Sequence, residues 1–174
     1  AGARAAGRGA GAHRLNAITP DRPGGQKTVV RGKLEQLNWQ PPDSLARPAG
    51  NLGNTAAFGN ALREALELGL IAKAPRLLAV QSDGAAPFAM SFREDFRVRH
   101  RVRANTIATA INIGAPASYQ RAVRSIRETD GVVTSVSDSQ IMEAKAIIDA
   151  AGVGCEPASA ASVAGVRQMV LAGT

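Results

Sequence analysis

Pro48-Ala49-Gly50-Asn51-Leu52-Gly53-Asn54-Thr55-Ala56-Ala57-Phe58-Gly59-Asn60-Ala61-Leu62 (residues 48–62) is the stretch whose reading decides the fold. It follows a short strand-like segment, 44–47, and runs into a helix expected over about 54–68. Ala57, Phe58, Leu62, Leu66 and Leu70 repeat at helical spacing, and Gly69 closes the helix. Residues 76–81 (RLLAVQ) form an apolar run typical of a buried strand. The order is therefore strand, glycine loop, helix, strand. In open α/β sheets a loop at the carboxyl end of a strand is where ligands bind.

Outward from this unit, the expectation is a low-complexity, disordered basic segment over 1–14 and a loop over 19–25, rich in Pro and Gly. A helix is expected from Gln26, with Val30, Leu34 and Leu37 inward, stopped at Pro41-Pro42-Asp43. Residues 91–103 read as an exposed strand or a solvated loop. Helices are expected over 119–128, 139–151 (capped by Ser137-Asp138) and 157–172, with a strand over 132–136. Strands and helices alternate, so the class is α/β, with a three-layer open sheet and helices on both faces.

The chain has 174 residues, enough for one domain with a core. Its net charge is +7, mostly from Arg, but aromatics are scarce: one Trp, one Tyr and four Phe. Arginines not interleaved with aromatics argue against nucleic-acid binding. Cys155 is the single cysteine, so there is no disulfide and no zinc cluster, and a small buried hydrophobe is expected there. No stretch reaches the roughly 18 apolar residues of a membrane helix. The Arg-rich start resembles a transit peptide in charge alone, and a reducing, cytoplasmic setting is expected.

Gly50, Asn51, Leu52, Gly53 and Asn54 make an anion cradle: glycine lets backbone approach a ligand, and the free N–H groups of a helix start favour phosphate. A Walker A loop is excluded, since no Gly-Lys-Ser/Thr follows. A dinucleotide fingerprint fits poorly, because the spacing is G-x-x-G, with Asp83 as its ribose acid. A single phosphomonoester, as on pyridoxal phosphate, needs only a few N–H donors. A tight strand-to-helix turn with an asparagine cap would bind nothing.

Six segments together carry a resemblance: 15–28 (LNAITPDRPGGQKT), 48–62, 77–87 (LLAVQSDGAAP), 106–118 (TIATAINIGAPAS), 131–141 (GVVTSVSDSQI) and 154–165 (GCEPASAASVAG). In order and spacing they resemble the threonine synthase family over about 15–174. The resemblance implies most of the large domain of a tryptophan-synthase-β-like fold and pyridoxal 5'-phosphate as cofactor. It implies conversion of O-phosphohomoserine and water to threonine and phosphate. By the same resemblance Gly50, Asn51, Leu52, Gly53 and Asn54 hold the cofactor phosphate, and Asn16, Arg22 and Asn54 take the substrate phosphate. No metal site is implied, and a homodimer is allowed.

The sequence also departs from the family. No Ser-Phe-Lys-Asp-Arg motif with the Schiff-base lysine occurs, and no Thr-Gly-His-Gly-Leu motif. Lys27 is not the cofactor lysine, and Ala17 stands where the family commonly has a serine. The expectation is a fragment that lacks its catalytic lysine and is inactive alone. A serine/threonine dehydratase-like enzyme, a basic nucleic-acid-binding module using 1–14 and 91–103, and a non-catalytic interaction protein are the alternatives.

Overall fold

The computed structural model describes residues 21–173. The expected basic segment 1–14 and Asn16 lie outside them. Helices α1 (Asp21–Gln26) and α2 (Thr28–Gln36) lead to strand β1 (Ser44–Pro48). Helix α3 (Gly53–Glu67), strand β2 (Arg76–Ser82) and helix α4 (Pro87–Arg93) follow. Helix α5 (Tyr119–Glu128), strand β3 (Val132–Val136), helix α6 (Asp138–Ala150) and helix α7 (Pro157–Leu171) complete the chain. Single 3-10 turns at Asp83–Ala85 and Thr109–Ile111 follow β2 and precede α5.

The strands lie in the order β1-β2-β3, all parallel, with Ser44 opposite Arg76 and Ser82 opposite Val136. Side chains of a strand alternate between faces, and β2 uses both. Leu77 and Ala79 join Val30, Leu34, Leu62, Phe88, Tyr119 and Ile126 in one core. Leu78 and Val80 join Val136, Ile141, Ala144, Ala160, Ala161 and Ala164 in the other. Helices α2 to α5 therefore cover one face and α6 and α7 the other, which is the expected three-layer arrangement. Cys155 is only half-buried at the edge of the second core.

Several elements differ from expectation. Residues 21–26 are helical, not loop: Pro23 sits in the first turn, where a missing N–H breaks no bond, and the helix packs on α3. Helix α2 stops at Gln36 because Asn38 and Trp39 turn left-handed and the Trp39 N–H returns to the Leu34 carbonyl at 2.7 Å. In α3 the inward residues are Ala57, Ala61, Leu62 and Ala65, while Leu66 and Leu70 are exposed. Small residues make the tight contact there. A Cβ on Gly59 would fall 2.1 Å from Ser125 Oγ of α5, so small residues beside Leu62 make up much of the buried face.

Helix α4 was not expected. It is short, and its start is fixed from outside: the buried Gln81 Oε1 accepts the N–H groups of Phe88 and Ala89 at 2.8 and 3.0 Å. Gln81 Nε2 meanwhile donates to the Ala49 carbonyl at 2.9 Å. Beyond α4, residues 94–103 form no strand. They are held by Phe96, which lies 5.2 Å from Phe88 and 5.6 Å from Phe92 between ring centroids.

Gln81→Leu keeps the volume of the side chain but strands one carbonyl and two N–H groups in the core. It is expected to lower unfolding stability by about 3 kcal/mol, read as a fall in the urea midpoint.

Candidate functional site

The carboxyl ends of the three strands share one edge of the sheet. There the Ala49 N–H donates to the Val80 carbonyl at 2.8 Å, so the first residue after β1 is still tied to the sheet. The chain then turns through Gly50 and Asn51 to Leu52, which is buried with φ of 63°. A left-handed leucine costs on the order of 1 kcal/mol, and packing of its side chain holds it. This turn aims the first turn of α3 outward. Among the described residues, none accepts from the N–H groups of Gly53, Asn54 or Thr55.

Gly53 and Asn54 border a cavity of about 250 Å³. Arg22 and Gln26 of α1, Arg47 and Pro48 of β1, all five residues 50–54, Ala110 and Ile111, and Glu156 and Ala158 at the start of α7 line it. Arg22 and Asn54 are exposed at its mouth. The Asn51 Oδ1 is already engaged, accepting from the Ala117 N–H at 2.7 Å, while the Asn51 carbonyl accepts from Ser118. Asn51 therefore ties the loop to the segment before α5 and leaves only its Nδ2 for a ligand. Asn16 lies outside the described residues. A larger groove of about 460 Å³ lies elsewhere, between α1, α2 and α3. It is bridged by the Lys27–Glu64 ion pair at 2.7 Å, so Lys27 is occupied away from the cradle.

The cavity fits a phosphate group. Helix N–H donors line it, and its wall is close-packed backbone: a Cβ on Gly50 would come to 3.0 Å from both the Ala110 oxygen and the Ile111 Cα. Two helix starts, of α3 and α7, add their favourable dipole ends. Arg47 is the surprise. Only 6% exposed, it stacks over the Phe58 ring at 4.5 Å. Its Nε and Nη1 have no partner, and Nη2 makes only a long 3.4 Å contact with the Pro48 carbonyl. Burial pushes the guanidinium down to about 9, which still leaves it charged at neutral pH. The sequence offered only its place, an arginine at the end of a strand candidate three residues before Gly50.

Asp138, at the carboxyl end of β3, holds the far wall. Its Oδ1 accepts from Thr106 Oγ1 at 2.5 Å and Ser82 Oγ at 2.9 Å, and its Oδ2 accepts from the Ile107 N–H at 3.1 Å. It thereby joins β2, β3 and the segment leading to Ala110 and Ile111. The sequence showed this aspartate only as part of a helix cap. Burial works against its charge, but the three hydrogen bonds outweigh it, and the carboxyl sits below its ordinary range.

A protein-family model described as pyridoxal-phosphate dependent enzyme matches residues 2–174. Threonine synthase from Methanocaldococcus jannaschii is 38% identical over 158 residues, which are 90% of this chain and 39% of that protein. The chain thus spans about two fifths of the length of this curated relative. The fold resembles a fungal L-serine ammonia-lyase from Rhizomucor miehei (TM-score 0.76, 22% identity, 89% of this chain and 47% of that one). It also resembles threonine synthase from Escherichia coli (TM-score 0.68, 19% identity, 88% and 36%). The fold is of the tryptophan-synthase-β-like type. Among the described residues, no helix is long and apolar enough to cross a membrane, and no three His, Cys, Asp or Glu cluster to hold a metal.

Because the Asp138 pKa is lowered in the folded chain, its contribution is fully present above the unfolded value, about 4, and is lost as pH falls through the folded value. Asp138→Asn is expected to cost about 1–2 kcal/mol at pH 7. The difference from the parent should shrink below pH 4, measured by urea denaturation at both pH values.

Proposed function

The chain belongs to the pyridoxal-phosphate dependent enzymes, and from that premise we propose that it carries the phosphate-recognising part of a threonine synthase. The reaction is conversion of O-phosphohomoserine and water to L-threonine and phosphate. The observation that carries this reading is the convergence on one cavity of the α3 start, Asn54 and Arg22. Pyridoxal phosphate, when bound, supplies an electron sink for charge developing on the substrate carbon.

The residues of this chain do the holding. The N–H groups from Gly53 onward and the close wall at Gly50 receive the cofactor phosphate without adding a charged side chain. Arg22 would fork onto the substrate phosphate, and Asn54 would add an amide donor. Asn16 joins them on the family pattern. Among the described residues lining the cavity none is a lysine.

The gene product carrying these residues is expected to release phosphate from O-phosphohomoserine and form threonine. Formation of 2-oxobutyrate from threonine, without phosphate release, would instead make it a dehydratase. The 174 residues alone, with cofactor and O-phosphohomoserine, should release no phosphate above blank.

A further inference from the structure

We propose that Arg47 is a phosphomonoester-binding residue of the cavity, in addition to the glycine loop, Asn16 and Arg22. The inference rests on reading the cavity as a phosphate cradle and adds a buried cation to it, beside the exposed Arg22.

Position is the first argument. Arg47 stands opposite Ala79 on the central strand β2, one residue before the strand ends and three before Gly50. It is the one buried residue of β1, whose other positions are exposed or half-buried, and a buried arginine is rare unless its charge is used. Its neighbours do not use it. No carboxylate pairs with Arg47 among the described residues, and two of its three nitrogens are buried without an acceptor. An uncompensated buried cation is strongly unfavourable.

The second argument is shape. The Phe58 ring covers one face of the guanidinium. Stacking fixes the plane of the group and leaves its edge donors, and anions accept in that plane. The same side chain lines the cavity into which the N–H groups of α3 open. The charges agree: Arg22 and Arg47 face a single acid, Glu156, among the lining residues. That leaves one net positive charge, which favours an anion, and a phosphate supplies the missing acceptors as well.

The competing role is a purely structural cation, retained for its stacking on Phe58. The two roles differ without ligand. Arg47→Met keeps the length and apolar stem of the side chain and removes an unsatisfied charge. If Arg47 serves a ligand, the ligand-free variant melts no lower than the parent, because replacing a buried charge with an apolar group is neutral or stabilising. If Arg47 is structural, the variant melts lower, and the proposal is overturned.

Binding is measured by calorimetric titration of the chain with inorganic phosphate, pyridoxal phosphate and pyridoxal. Arg47→Met is expected to weaken phosphate binding at least tenfold while leaving pyridoxal unaffected. Arg47→Lys, which keeps the charge but loses the planar fork, should fall between. Weaker binding of pyridoxal phosphate would assign Arg47 to the cofactor phosphate. Unchanged cofactor binding with weaker phosphate binding to the cofactor-loaded chain would assign it to the substrate phosphate. Equal phosphate affinity in the parent and Arg47→Met overturns the role of Arg47 but leaves the cradle standing. A parent that takes up neither phosphate nor pyridoxal phosphate removes the cradle and this proposal together.

Discussion

The buried amide of Gln81 is the constraint on which the cavity edge of the sheet depends. Its nitrogen holds the Ala49 carbonyl and its oxygen holds the first turn of α4. One side chain therefore satisfies backbone groups from two elements that no regular ladder could reach. It also fixes where β1 ends. Because the Ala49 N–H is bonded to Val80 as well, the chain must turn at Gly50, beside the wall of Ala110 and Ile111. A cradle placed this way is preformed, which spares the ordering entropy a flexible loop would lose on binding.

Small residues let the layers come close enough for this geometry. Gly59 meets Ser125 of α5, and Gly165 of α7 meets Val80 of the central strand, at distances that leave no room for a Cβ. With few aromatics in the chain, the rings gather on one side, where Phe88, Phe92, Phe96 and Tyr119 anchor the long segment between α4 and α5. That segment then returns through Thr106 to Asp138 and presents Ala110 and Ile111 to the glycine loop. The wall of the cavity is thus the end of a chain of contacts that starts in the aromatic cluster.

Charge is arranged around the same edge in two ways. Asp138 is compensated by three donors and acts as a clasp between strands and wall. Arg47 lacks partners for two nitrogens and faces the cavity. The contrast separates a group that holds the structure from one that the structure leaves available.

The sequence by itself determined the class and the place of the cradle. Glycine and asparagine punctuation after a strand, followed by a strong helical repeat, is local information, and so the βαβ order was legible. Residues 50–54 could be named for the same reason, whereas Arg22 was named only through the family resemblance. What needed the tertiary structure were features made by distant partners. Helix α4 is too short to show a period, and Gln81 sets its start from the neighbouring strand. The buried face of α3 is lined by small residues whose importance lies in what touches them, not in their hydrophobicity. Arg47 reads as one more arginine in a basic chain until burial shows two of its nitrogens without acceptors. Local propensity travels along the chain, but burial, pairing and the lack of a partner exist only once separate segments meet.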